Sequence, residues 1–100
     1  MAIGLQISVF SDAKEVLFDA PLQEEVVAIG AGSLQSNAIT GDNREMRLVR
    51  LFCDADCFVT WGANPTATTD GTSGRALGAE NPEVFGIFAG NKIAVINRVV

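Results

Sequence analysis

The sequence predicts an all-β domain: an antiparallel β-sandwich, jelly-roll-like, or a small barrel of seven or eight short strands. Three observations carry that expectation. Apolar and polar residues alternate with period two at the start of the chain, where Ile3, Leu5, Ile7 and Val9 face one way and Gly4, Gln6 and Ser8 the other. Turn-forming clusters of Gly, Asn, Asp and Pro recur about every 8 to 12 residues. The chain is 100 residues long and 48% apolar, enough for one core and too rich in apolar residues for a disordered segment.

Taken in order, Ile3 to Val9 is the first strand. Asp12 and Glu15 have capping-box spacing, but Val16-Leu17-Phe18 is short and β-prone, so a turn and a second strand ending at Asp19-Ala20-Pro21 are favoured. Glu24 to Ile29 is a third strand, stopped by Gly30-Ala31-Gly32. Ser33 to Thr40 is ambiguous and reads as an edge strand before the Gly41-Asp42-Asn43 turn. Met46 to Cys53 alternates, with Leu48 and Phe52 on one face and Val49 and Leu51 on the other. Arg47 and Arg50 fall on opposite faces, which suggests a strand only partly covered.

Cys57 to Trp61 is expected to pair with that strand as a hairpin across Asp54-Ala55-Asp56. Val84 to Phe88 and Ile93 to Val99 are expected to form a second hairpin across Ala89-Gly90-Asn91. No repeat or linker divides the chain, so residues 1–100 read as a single domain.

The chemistry is defined mainly by what is missing. There is no histidine and no tyrosine, which removes the commonest general base, the commonest metal ligand and every Ser-His-Asp or Cys-His arrangement. Cys53 and Cys57 have neither redox-motif nor zinc-knuckle spacing, and without a secretion signal they read as reduced thiols beside the core. Asp54 and Asp56 do not complete a calcium loop, because Phe58 stands where the next ligand belongs. Aspartates in tight turns usually accept from nearby backbone amides. Gly30-Ala31-Gly32 lacks the lysine and the strand–helix setting of a phosphate loop. The expectation is a non-enzymatic protein with no metal and no cofactor.

Net charge is −5 and unevenly placed. Asp12, Glu15, Asp19, Glu24, Glu25 and Asp42 face only Lys14 in the first part of the chain, whereas basic and acidic residues balance after it. No basic cluster exists to release counterions, so nucleic acid is not an expected partner. No apolar run approaches the roughly 18 to 20 residues that span a bilayer, and no signal peptide is visible, so synthesis in a cytoplasm and no membrane partner are expected. Gly62 to Gly74 is long and structureless for so compact a domain, which points to a functional loop or an arm reaching a neighbour, with a mobile surface excursion as the equal alternative. Trp61, just before it, alternates with Val59 and Cys57 and is assigned to the core.

At Gln35-Ser36-Asn37-Ala38, Val49-Arg50-Leu51, Asp54-Ala55-Asp56-Cys57, Trp61-Gly62-Ala63-Asn64-Pro65-Thr66-Ala67-Thr68, Val84-Phe85-Gly86-Ile87 and Gly90-Asn91-Lys92-Ile93-Ala94-Val95-Ile96, the chain resembles a family of small tailed-bacteriophage virion structural proteins. The resemblance spans residues 33 to 97. It implies a virion protein made in the host bacterial cytoplasm and, by likeness to capsid cement or decoration proteins, one that sits on the outer capsid surface. Its implied partners are the major capsid protein and itself, as a homodimer or homotrimer. A neck or tail component is the alternative, and a host carbohydrate-binding module is disfavoured by the single Trp and absent Tyr.

Candidate contact residues follow from both readings. Arg47 and Arg50 can pair with carboxylates of a partner, or simply with Glu and Asp of a neighbouring strand. Asn64, Pro65, Thr66, Thr68, Thr69, Asp70, Thr72 and Ser73 can insert between subunits, and deleting 64–73 is expected to spare folding. Ile3, Leu5 and Ile7 belong to a first strand that can add to a neighbour's sheet.

Overall fold

The computed structural model describes residues 4–11, 21–42, 45–69 and 74–98, and these are all-β. Their strands are β1 (Gly4–Phe10), β2 (Gln23–Ala28), β3 (Leu34–Gln35), β4 (Met46–Cys53), β5 (Cys57–Gly62), β6 (Arg75–Leu77), β7 (Glu83–Phe88) and β8 (Lys92–Asn97). The Asp12–Glu15 region and the expected second strand up to Ala20 lie outside the described residues. β6 was not anticipated; three residues between Gly74 and Gly78 carry too little alternation to be read.

The strands form two antiparallel four-stranded sheets. Sheet A has the order β2-β1-β4-β7 and sheet B the order β3-β8-β5-β6. If β1 is moved behind β8 and the strands are renumbered, the orders become 1-8-3-6 and 2-7-4-5. That is the strand order of a jelly roll, here with its last strand placed first.

The alternation of β1 explains its burial. Leu5, Ile7 and Val9 point between the sheets and are at most 2% exposed. Val49, Leu51 and Cys53 of β4 meet them from the same sheet, and Cys57, Val59, Ile93 and Val95 face them from sheet B. Burying each Leu, Ile or Val side chain contributes about 1.5–3 kcal/mol.

Both expected hairpins are corrected. β4 pairs with β1 and β7, and β5 pairs with β8 and β6, so Asp54-Ala55-Asp56 is an arch between sheets. The chain changes partners within three residues. Asp54 N–H still donates to Gly4 O on the β1 side (3.4 Å), while Asp56 O already accepts from Arg98 N–H on the β8 side (3.2 Å). Ala89-Gly90-Asn91 is a second arch: Ala89 N–H donates to Glu45 O, and Gly90 N–H to Ile39 O, both at 2.8 Å. Gly90 turns this corner at φ 92°, which favours glycine. In both cases core-facing residues on either side of the short connection, Cys53 and Cys57 at the first and Ile87 and Ile93 at the second, are buried from opposite sheets.

The two seams of the sandwich close differently. At the β2 side, Gln23 accepts from Thr40 N–H (2.8 Å) and donates to Ala38 O (3.2 Å), and the Glu25 carboxylate accepts from Asn37 N–H (3.0 Å). These side chains stand in for a missing strand ladder. At the opposite side, Trp61 of β5 packs on Phe85 of β7 with ring centroids 5.1 Å apart, and Arg75 of β6 lies 4.9 Å over Phe85.

Candidate interaction surface

The residues singled out from sequence do not form one site. Leu5 and Ile7 lie in the interior strand of sheet A, with β2 on one edge and β4 on the other. Neither edge of β1 is free to join a neighbour's sheet, which corrects the strand-addition role proposed for it. Ile3, Asp70, Thr72 and Ser73 lie outside the described residues.

The two arginines are separated by the alternation of β4. Arg47 turns toward the end of the sandwich, where its side chain is only 14% exposed. Its Nε donates to Thr40 O (3.1 Å), and its guanidinium lies 3.5 Å from the Glu45 carboxylate. It is therefore spent on holding the 40–45 segment. Arg50 is half-buried on the outer face of sheet A, 5.6 Å over the Phe52 ring, with no carboxylate within 4 Å among the described residues.

The loop after Trp61 is a strap rather than an arm over its described part. β8 is apolar on both sides: Ile93 and Val95 face the core, while Ala94 and Ile96 face outward. Ala67 packs on that outer surface with Ala94, Ile96 and Phe58, and Pro65 is buried beside it. Gln35 Nε2 donates to Asn64 Oδ1 (2.9 Å) and Pro65 O (2.7 Å), and Ser33 Oγ accepts from Ala67 N–H (2.9 Å). Thr66 and Thr69 remain exposed along the strap, and Thr68 is half-buried. The small size of Ala67 and Ala94 lets loop and sheet approach closely, so large apolar residues are not needed. The deletion of 64–73 thus removes cover from β8 and is expected to lower stability.

The most exposed apolar surface lies elsewhere. Strand register sets Val26 beside Gln6 and Phe52, Val84 beside Arg50 and Phe88 beside Met46, so these residues share the outer face of sheet A. They are 67%, 47%, 48% and 49% exposed. Leu48 and Phe52 are half-buried on the same face, and Arg50 stands among them. The Met46 side chain crosses over Gly86, where its Sδ lies 3.0 Å from the position a Cβ would take. It thereby joins Val84 to Phe88 in one apolar strip. Their sequence neighbourhood carries no loop or charge signal that would mark them as contact residues. The available signal was Val84 to Phe88, which is apolar on both faces and so has no side made for water.

No family model, curated protein or solved structure matches this chain. The geometry therefore has to carry the functional reading. Among the described residues, no group of three or more acidic or thiol side chains converges to hold a metal ion. The two thiols are free, fully buried and close enough to share a hydrogen bond. Burial is the main cause that pushes both thiols up, and the neighbouring Cys53 adds to it for Cys57. Raised and buried thiols are poor nucleophiles. The arch aspartates accept from backbone, Asp54 from Gly4 N–H and Asp56 from Ala79 N–H, both at 2.8 Å. Asp56 also pairs with Arg98 at 3.2 Å. What this arrangement can do is present a rigid, partly apolar sheet face to another protein.

Proposed function

We propose that this chain is a capsid cement, or decoration, protein of a tailed bacteriophage. It seats on the outside of the head and clamps neighbouring major capsid protein subunits, without catalysing a reaction. The observation that carries this reading is the outer face of sheet A, where Val26, Met46, Val84 and Phe88 stand about half exposed or more around Arg50. Clustered apolar exposure on a small domain marks a contact surface, because each such side chain gains by leaving water. The likeness of residues 33–97 to small virion proteins names the partner class. A stiff two-sheet core suits a mechanical role, since the load passes through backbone ladders and not through loops. Net charge −5 suits a surface that does not meet DNA.

The test is binding of the purified chain to preformed heads that lack it, read as copy number per particle. Hundreds of copies are expected, with loss of binding in Val26→Asp and Arg50→Glu while their melting temperatures hold. About a dozen copies would select the neck or tail instead, and no binding to any particle would end the virion reading.

A further inference from the structure

Among the described residues β7 has no strand beyond it, and this edge provides a second surface. We infer that two copies of this chain pair antiparallel through β7, with Gly86 on the two-fold axis. The inference rests on the backbone and stands without the shell-binding reading.

The phase of the β4–β7 ladder comes first. Ala89 N–H donates to Glu45 O, while Glu45 N–H turns to Asp42 O, so residues 45 and 89 stand in the hydrogen-bonded phase, and by alternation 47 and 87, 49 and 85, and 51 and 83 are the hydrogen-bonded pairs. The main-chain groups of Val84, Gly86 and Phe88 therefore point away from β4, toward the open edge. Only Phe88 O has another partner among the described residues, Asn91 N–H at 3.3 Å. Gly86 has nothing but backbone to expose, and it is exposed.

The other edges are protected. β2 carries Glu24 and is laced through Gln23 and Glu25 to residues 37–40. β3 is two residues long and β6 three. β7 has six residues, no lysine and no internal proline, and its one charge, Glu83, lies at its start. Edges of this kind associate unless something blocks them.

The edge is also complementary to itself. With Gly86 opposite Gly86 of the second copy, Val84 falls opposite Phe88 of that copy, an aromatic–β-branched pair. Each Gly86 N–H donates to the other copy's Gly86 C=O, and each Phe88 N–H to the other copy's Val84 C=O. The space above the paired glycines is filled by Met46 from both sides. Glu83 falls opposite Ala89, so no like charges meet. A two-fold contact that is complementary to itself closes at two copies. It yields one continuous sheet, β2-β1-β4-β7-β7-β4-β1-β2, whose outer faces merge. If the shell-binding reading also holds, the merged face would let one dimer touch two shell subunits.

The experiment is sedimentation of the full chain from low-micromolar to near-millimolar concentration, with amide exchange at each end of the range. The expected result is a mass that rises from one chain to two, with Val84, Gly86 and Phe88 amides protected only in the dimer. Phe85 and Ile87 amides, bonded to β4, should be protected throughout. Gly86→Pro deletes an N–H that points to the open edge and leaves the β4 ladder intact, so it should stay single-chain with its melting retained. Val84→Lys, which adds a charge to the exposed edge, should do the same. A single-chain mass at every concentration would overturn the pairing. So would a dimer whose even-numbered β7 amides exchange freely, or protection of those amides only when heads are added. A wild-type chain that stays single at every concentration yet still binds heads would sink the pairing alone.

Discussion

Raising the pH tests the arch between the sheets, because the two thiols at its ends are buried only if β4 and β5 face each other across the core. In an isolated hairpin, Cys53 and Cys57 would flank a solvated turn and ionise near 9.0. In the fold, burial raises both, so they keep their protons where the unfolded chain has lost them. The folded state then binds more protons above pH 9, and stability falls as pH rises, being present in full below that value. If Cys57 stays protonated in the fold throughout, its linkage removes about 1.4 kcal/mol by pH 10 and about 2.7 kcal/mol by pH 11. Few other groups interfere, because the chain has no tyrosine and no histidine. The assay is urea unfolding followed by Trp61 fluorescence under reducing conditions, for the wild type and Cys57→Ala. Every other ionisable group is common to the two proteins, so the difference between the two curves isolates the thiol. The wild-type curve should converge downward on that of Cys57→Ala as pH rises. Parallel curves from pH 8 to pH 11 would refute the buried arch.

Three further outcomes follow from the packing. Gln35→Ala removes both hydrogen bonds that hold Asn64 and Pro65, and should lower stability by about 1–3 kcal/mol and speed proteolysis within 63–69. Leu51→Ala empties a fully buried site on β4 beside Ile7, and urea unfolding should show a loss of about 2–5 kcal/mol. A circular permutant that links Arg98 to Gly4 through a short Gly/Ser segment and opens within 12–20 should fold, because β1 begins and β8 ends at opposite ends of the 54–56 arch. Its circular dichroism should match that of the parent chain.

Period-two alternation was a sound guide to which way a side chain points. Ile7, Val9, Val49, Leu51 and Val59 all lie where alternation puts them, between the sheets. Trp61 also packs on the core, though it stays partly exposed. Alternation says nothing about which strand lies alongside, and that is where both hairpins failed. A three-residue connection suits a hairpin or an arch equally well, and the choice depends on contacts far away in sequence, such as Gly4 with Asp54 and Ile39 with Gly90. One signal was available: the four apolar residues Ile93 to Ile96 need cover on both faces of one strand. That cover comes from Ala67 and Pro65, within a loop that composition marks only as polar. Arg47 shows the same limit from the other side, since nothing local to it announces that Thr40 and Glu45 will occupy its guanidinium.

Salt separates the proposed β7 pairing from association driven by ion pairs. Each copy carries −5, so two copies repel over distances that a Debye length of about 8 Å at physiological ionic strength cuts short. The contact itself holds Val84, Phe88 and Met46, with Glu83 placed opposite Ala89, so it contains no charge pair for salt to weaken. Added salt should therefore strengthen the dimer by screening the general repulsion, and sulfate should do so more than chloride by favouring apolar burial. Had the copies instead met face to face through sheet A, Arg50 of one could reach Glu24 of the other, and salt would weaken them. A dimer that dissociates as sodium chloride is raised would thus place the contact on the outer face of sheet A and remove it from the edge.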